Sequence, residues 1–449
     1  MISTDVSTFA TTSATGPAQT CTDRLRERIR TCLDWGTRAL TIGHGAAPLW
    51  ETDEAEVIQP FEKMLIEAAL FALIAHRAVG DDPALSRLLD AITDCTDSLD
   101  HIYELVRWQP YLWSSAGAIW VILDRFGRGD AAKRARLRTL WCEEQIPHPR
   151  ERVPYRLLDQ AWVRTIAEGK RDPRLSSAGL RSCTSFENVR GALFMATGDL
   201  YALTHTAMYV TDFGRAGRVS ADQEWIDALC ACRLLLNDLD LAGELALTDA
   251  LTSDRPREGT LTALAALSSI FDRLGFVPSP TFRDAEHRRA PDPTNYLLFH
   301  SYHSTFVYGL LCSVLAVTGG DRGDVARIMS KPKELRFPEE WCGRRAGETH
   351  LSSQVAHTFN AWAGITAARG VDLDHDALLR VVIDSYLITA ASEERTEDLL
   401  SLLGMRAVAG PSVVDHETRR LLVRRARLGG DDSLAALLTP QEVPWTSAR

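Results

Sequence analysis

Apolar residues return every three or four positions through most of the chain, and no stretch alternates apolar with polar residues between hairpin turns, so helices are expected and strands are not. Across Glu56–Val79, for example, Val57, Ile58, Phe61, Leu65, Ala68, Ala69 and Ala72 form one stripe, and Gly80-Asp81-Asp82-Pro83 closes the helix. Further Gly, Asp and Pro punctuation falls at Gly127–Asp130, Gly169–Pro173, Gly214–Ser220, Gly319-Gly320, Gly370–Asp374 and Gly429–Asp432. It divides the chain into about fifteen to eighteen amphipathic helices, each about twelve to twenty residues long. The expected class is all-α, with helical hairpins closing into an α/α-toroid. A two-domain helical bundle is the alternative.

Three regions follow. Residues 1–22 read as a disordered tail, rich in Ser, Thr and Ala, with neither the basic start nor the apolar centre of a signal peptide. Residues 23–405 form the helical domain, and 406–449 form C-terminal helices and a tail. Two irregular stretches, Pro278–Pro293 and Lys331–Gly347, are long enough to act as lids, gates or partner contacts, or to be surface insertions. Helical alternation of Arg with apolar residues in Arg419–Arg427 fits an amphipathic surface helix.

The formal net charge of -10 argues against nucleic acid as a partner, because a phosphate-binding surface needs excess Lys and Arg. The best candidate for a membrane span, Leu310–Val317, is far too short to cross a bilayer, so no membrane association is expected. Nine cysteines without a CxxC pair fit reduced thiols in a cytoplasm. No phosphate-cradling GxxxxGK[ST], no GxGxxG and no GxSxG elbow is present, so nucleotide cofactors have no visible foundation.

The most informative pattern is a His followed by Ser or Thr inside otherwise apolar helices. It occurs at His205-Thr206, His303-Ser304 and His357-Thr358, spaced 98 and then 54 residues apart. His205, Tyr209 and Asp212 stand at i, i+4 and i+7, on one helix face. His350, Gln354 and His357 do the same, and His300 and His303 are one turn apart. Polar groups on a core-facing stripe cost a few kcal/mol each unless they find partners, so they pair with one another or line a wet cavity. His205, Tyr209, Asp212, His303 and His357 are therefore the candidate catalytic residues. Such imidazoles with a carboxylate can hold a divalent metal such as zinc, or act as general acid and base without one. The bland alternative is a local hydrogen bond for each His in a helix interface.

Glu187, Arg190, Tyr302 and Trp362 are candidate substrate-binding residues. For Glu187 the alternative is a helix start, capped by Thr184 or Ser185. Asn237-Asp238-Leu239-Asp240 with Glu244 gathers three acids, but Asp238 and Asp240 diverge on a helix. No partner Asp-rich segment accompanies them, which weakens a terpene-cyclase-like reading.

The segment Thr204-His205-Thr206-Ala207-Met208-Tyr209-Val210-Thr211-Asp212-Phe213-Gly214, with the later Tyr302-His303-Ser304-Thr305, resembles a family of uncharacterised helical proteins from actinobacteria. Its pattern is a His…Thr-Asp-Phe-Gly segment followed by a Tyr-His-Ser/Thr segment, and the resemblance spans roughly residues 25–390. It implies a tailoring role in natural-product biosynthesis. Lanthionine cyclases and squalene/hopene cyclases are similar in expected architecture only, since the Cys-Cys-His zinc set of the former and the Gln-Trp repeats of the latter are missing. The leading expectation is a small-molecule or peptide tailoring enzyme with a His/Tyr/Asp-lined central cavity. The rival is a non-catalytic helical scaffold that binds a peptide or protein. Convergence of the three His segments within about 10 Å favours the enzyme, and dispersal favours the scaffold.

Overall fold

The computed structural model describes residues 21–46, 60–142, 152–318, 323–330 and 350–439. Among them are twenty-one α-helices and no strand, which carries the all-α expectation. In chain order they are Cys21–Ala46 (α1), Pro60–Val79 (α2), Pro83–Asp94 (α3), Asp100–Trp108 (α4), Ala118–Arg125 (α5), Ala131–Cys142 (α6) and Pro154–Glu168 (α7). Next come Ala178–Ser182 (α8), Thr197–Thr211 (α9), Gln223–Leu235 (α10), Leu239–Thr252 (α11), Glu258–Leu274 (α12), Asp284–His287 (α13) and Pro293–Phe299 (α14). The last seven are Tyr302–Val317 (α15), Gly323–Met329 (α16), Leu351–Ala368 (α17), His375–Ser392 (α18), Thr396–Ala409 (α19), Val413–Leu428 (α20) and Asp432–Leu438 (α21). The number exceeds the expectation because helices such as α8 and α13 are too short to show a 3.6-residue period. The Pro278–Pro293 loop contains α13. The 331–347 stretch, Gly319 and residues 1–20 lie outside the described residues. The boundary expected after residue 405 falls inside α19. No described helix is long and apolar enough to cross a membrane.

The helix that organises the molecule is α15. From Tyr302 to Leu315 every side chain except His303 is buried, so it is apolar all round, as a helix enclosed by others must be. It packs on α1, α2 and α11. Glycines bring these neighbours close. A Cβ on Gly309 would lie 2.5 Å from Phe71 of α2, one on Gly243 of α11 would lie 2.9 Å from Val307, and one on Gly36 of α1 would lie 2.9 Å from Phe306. At 2.5–2.9 Å the glycines remove a steric conflict and let ridges of one helix sink against the backbone of the next.

Buried ion pairs tie the remaining layers to this centre. Arg28 of α1 donates to Tyr308 of α15 and to Asp272 of α12, 3.0 Å away. Arg369, after α17, donates to the same Asp272 carboxylate at 2.8 Å and to Ser269 at 3.0 Å. On the far side, α10 packs on α11, α12 and α18, and the Asp227 carboxylate of α10 accepts from Gly259 N and Thr260 N at the start of α12. That interhelix cap satisfies two of the four donors orphaned at any helix start. In α18, Asp384 accepts from Ser412 at 2.7 Å and pairs with Arg406 of α19 at 2.9 Å.

Two predictions follow from this packing. Gly309→Ala forces Phe71 out of place and destabilises the fold by about 1–3 kcal/mol, read as a lower urea midpoint with unchanged helicity. Burial pushes Asp384 up to about 7, against the pull of Arg406 and Ser412. The native state then binds more protons than the unfolded state between about pH 4 and that value, so this group's contribution to stability falls as pH rises through the window. Relative to Asp384→Asn, the wild-type chain should lose stability from about pH 4 to about pH 7 in denaturant titrations.

Candidate functional site

Four helices deliver one polar cluster. In α9, Tyr201, His205 and Tyr209 recur at i, i+4 and i+8 on one face, and the Asp199 carboxylate fixes the helix start by accepting from Ala196 N at 3.0 Å. In α11, Asp238 caps the helix through Leu241 N, while Asp240 and Glu244, one turn apart, point the same way. The first turn of α15 contributes His303 and Ser304. The middle of α2 contributes Glu67.

His303 is the hub. Its Nδ1 lies 2.6 Å from Glu67 Oε2 and its Nε2 lies 3.2 Å from Asp240 Oδ1 and 3.9 Å from Glu244 Oε1. His205 Nε2 approaches the same Glu244 oxygen at 3.6 Å, so the two imidazoles face each other across one carboxylate. The outer oxygens of both acids are also held. Tyr201 donates to Asp240 Oδ2 at 2.7 Å, and Thr204 donates to Glu244 Oε2. Asp240 and Glu244 are buried, whereas the His205 and His303 side chains are 27% and 28% exposed, so the cluster opens on its imidazole edge. Lys63 stands at the rim, 3.7 Å from Glu67.

Burial alone would lower the His303 pKa, but the carboxylates of Asp240 and Glu67 outweigh it and hold the ring well above the usual histidine range. Burial would likewise raise Asp240, and the His303 cation outweighs it and lowers it. Burial, with Asp240 next to it, pushes the Tyr201 hydroxyl far up, so it remains a donor. Three carboxylates thus share one partly exposed imidazolium, and the cluster carries an excess of negative charge that a cation would offset.

The donor set fits a divalent metal. Asp240, Glu244 and His303 each offer a ligand atom, and the three atoms lie within 4.8 Å of one another. Ligands about 2.1 Å from a cation stand about 3–4 Å apart, which matches the His303–Asp240 and His303–Glu244 separations. Glu67 on Nδ1 would fix the ring and its tautomer, the carboxylate–histidine arrangement found behind metal-bound imidazoles. His205, with its Nδ1 buried and without a hydrogen-bond partner, stands within reach as a fourth ligand or as an acid/base.

Of the residues singled out from sequence, His205, His303 and Tyr209 gather here. The Tyr209 ring lies 5.9 Å from that of His205, and its hydroxyl bonds to Asp159, whose carboxyl is raised by burial. Tyr302 is buried beside the cluster, its ring 6.3 Å from His303. Asp212 does not share this face. It caps α9 in a left-handed conformation (φ 48°), because the helix ends there, and its carboxylate is held by Arg77 at 2.9 Å and by Trp162 Nε1 at 2.8 Å. The Thr-Asp-Phe-Gly motif is therefore a helix-ending turn: Phe213 is buried against Trp162, and a Cβ on Gly214 would meet Thr318 at 2.9 Å. His357 and Trp362 sit on α17, which packs chiefly on α12 and α18, and Trp362 is a fully buried core residue. His300 bonds to Thr281 in the loop after α12.

Glu187 is paired with Arg181 at 2.9 Å in a turn that leads into a 3-10 segment, Val189–Phe194. No α-helix starts at Thr184 or Ser185, and Gly191 explains why the segment does not propagate one. The side chain of Arg190 lies outside the described residues. Sequence reasoning missed Asp240, Glu244 and Glu67 as partners of the histidines. The signal was available in part: two acids at i, i+4 in the first half of Leu239–Thr252, whose other positions up to Leu247 are Leu, Ala or Gly. Glu67, one of two acids on α2 and five residues after Glu62, carried none.

The placement of Asp212 predicts a purely structural phenotype. Asp212→Ala strands Arg77 and the Trp162 N–H, so the chain should lose about 2–4 kcal/mol in a denaturant titration. Asp212→Asn, which tolerates the left-handed cap and still accepts a hydrogen bond, should lose less than half of that.

No curated protein and no solved structure matches the chain. One family does, over residues 30–313, a span that includes Glu67, His205, Asp240, Glu244 and His303 and leaves out α17. The chain belongs to that family, described as Domain of unknown function (DUF6895).

Proposed function

We propose that the chain is a metal-dependent enzyme that tailors a small molecule or peptide, with Asp240, Glu244 and His303 as metal ligands. One observation carries the reading: a histidine and two buried carboxylates converge with ligand spacing, beside a second histidine and an opening to solvent. A divalent cation such as zinc, held there, would polarise a substrate oxygen or lower the pKa of a bound water. His205, on the open edge and 3.6 Å from Glu244, is placed to move a proton to or from that water or substrate. Tyr201 and Thr204 keep the two carboxylates oriented. Hydrolysis and lyase- or cyclase-type chemistry both use such a centre.

Two finer points belong to the same proposal. Helical hairpins closing into an α/α-toroid would present the ends of α9, α11 and α15 to a common opening, and the packing of successive helices such as α10 with α11 and α18 with α19 supports it. A cytoplasmic location is supported by nine scattered cysteines without a CxxC pair, a pattern that suits reduced thiols. The net charge of -10 favours a small partner over nucleic acid.

The test is metal titration of chelator-treated protein by calorimetry and thermal melting. Zinc or manganese should bind at about one equivalent per chain and raise the melting temperature, because the ligand binds only the folded state. His303→Ala and Glu244→Gln should each weaken binding by at least about tenfold. Absence of saturable binding, or unchanged binding in Glu244→Gln, sinks the reading.

A further inference from the structure

A cleft lies at the C-terminal end of α2 and α9, the two helices it shares with the histidine cluster. The C-terminal ends of α2, α5, α7 and α9 enclose a cleft of about 690 Å³, a volume usual for small-molecule pockets. His205 and Asp212 are seven residues apart on α9, so the cleft lies about 10 Å along the helix from the histidine cluster. Four arginines line it, Arg77, Arg125, Arg171 and Arg215, against two acids, Asp81 and Asp212.

That balance runs against the rest of the molecule. The chain has more acids than bases, 60 against 50, and its arginines usually face a carboxylate, as in Arg30–Asp82, Arg87–Asp34, Arg164–Glu168 and Arg174–Asp172. In the cleft the acids are already committed. Asp212, nearly buried, is shared by Arg77 and Trp162, and Asp81, fully exposed, pairs with His76. Arg171 donates to a backbone carbonyl, Val210 O, at 2.7 Å. Arg125, whose Nη1 lies over Gly169, and Arg215 have no carboxylate partner among the described residues.

Helix C-termini carry partial negative charge, and this offers a structural role for some of these cations. Arg77 on Asp212 O and Arg171 on Val210 O fill that role for α9. Arg125 stands in the last turn of α5 in the same way, but neither it nor Arg215 has a carboxylate partner among the described residues, which leaves formal positive charge on a concave surface. Guanidinium groups lining one cleft repel one another unless an anion joins them, and their planar forks match the oxygens of phosphate or carboxylate groups.

We propose that this cleft binds a small molecule bearing a multiply charged oxyanion group, held by Arg125, Arg171 and Arg215 with Arg77 as a fixed wall. The site is independent of the cation centre. The experiment is calorimetric titration of the full chain at low ionic strength with pyrophosphate and, separately, with citrate, repeated on Arg125→Gln/Arg215→Gln and on Arg171→Gln. Wild-type protein should bind at least one probe saturably, with a Kd below about 1 mM. The double variant should bind at least about tenfold more weakly while keeping its circular dichroism spectrum and melting temperature. Preference for pyrophosphate assigns phosphate esters as the ligand class, and preference for citrate assigns polycarboxylates. No saturable binding of either probe, or equal binding by wild type and the double variant, overturns the proposal. Should the double variant misfold, undiminished binding by folded Arg171→Gln overturns it as well.

Discussion

The burial of α15 is the constraint on which the rest of the structure depends. A helix enclosed on all sides cannot present charge to its neighbours without a partner, and α15 accordingly carries apolar and small polar residues from Ser304 to Leu315. Its neighbours approach to within glycine distance at Gly36, Gly243 and Gly309. His303 is the exception, placed in the first turn where the helix emerges. The same close packing that excludes polar groups elsewhere brings α2 and α11 near enough for Glu67, Asp240 and Glu244 to reach one imidazole.

Such a cluster is an expensive thing to build for stability alone. Buried ion pairs rarely repay the desolvation of their charges, and apolar residues of the same volume often serve as well. The Arg28–Asp272–Arg369 network and the Arg406–Asp384 pair show how this chain uses buried charge structurally: each bridges separate helices of the core. The His303 cluster differs in two respects. It holds more carboxylates than cations, and it opens to solvent along the edge formed by His205 and His303. The proposed metal centre rests on both.

The helical class was legible in the sequence because a 3.6-residue period over long segments has one physical meaning, and the Gly, Asp and Pro stops marked ends such as Gly169 and Gly370. The site was half legible. His205 and His303 stood out as polar residues in apolar helices, and they do converge. His357 matched the same local pattern yet lies on a helix that packs elsewhere, because a local pattern fixes the face of a helix and not its neighbours. Asp212 was misplaced for a different reason: i+7 spacing implies a shared face only while the helix continues, and the chain turns left-handed at that residue. Asp240, Glu244 and Glu67 become a site only through contacts between helices far apart in sequence, which periodicity cannot report.

The most direct test of the metal centre is anomalous diffraction from crystals of the manganese- or zinc-loaded protein, recorded at the metal absorption edge. The account predicts a single strong peak bonded to His303 Nε2 and to one oxygen each of Asp240 and Glu244, with Glu67 still on His303 Nδ1. A peak elsewhere, or none while the His303–Asp240 ion pair remains closed, would contradict it.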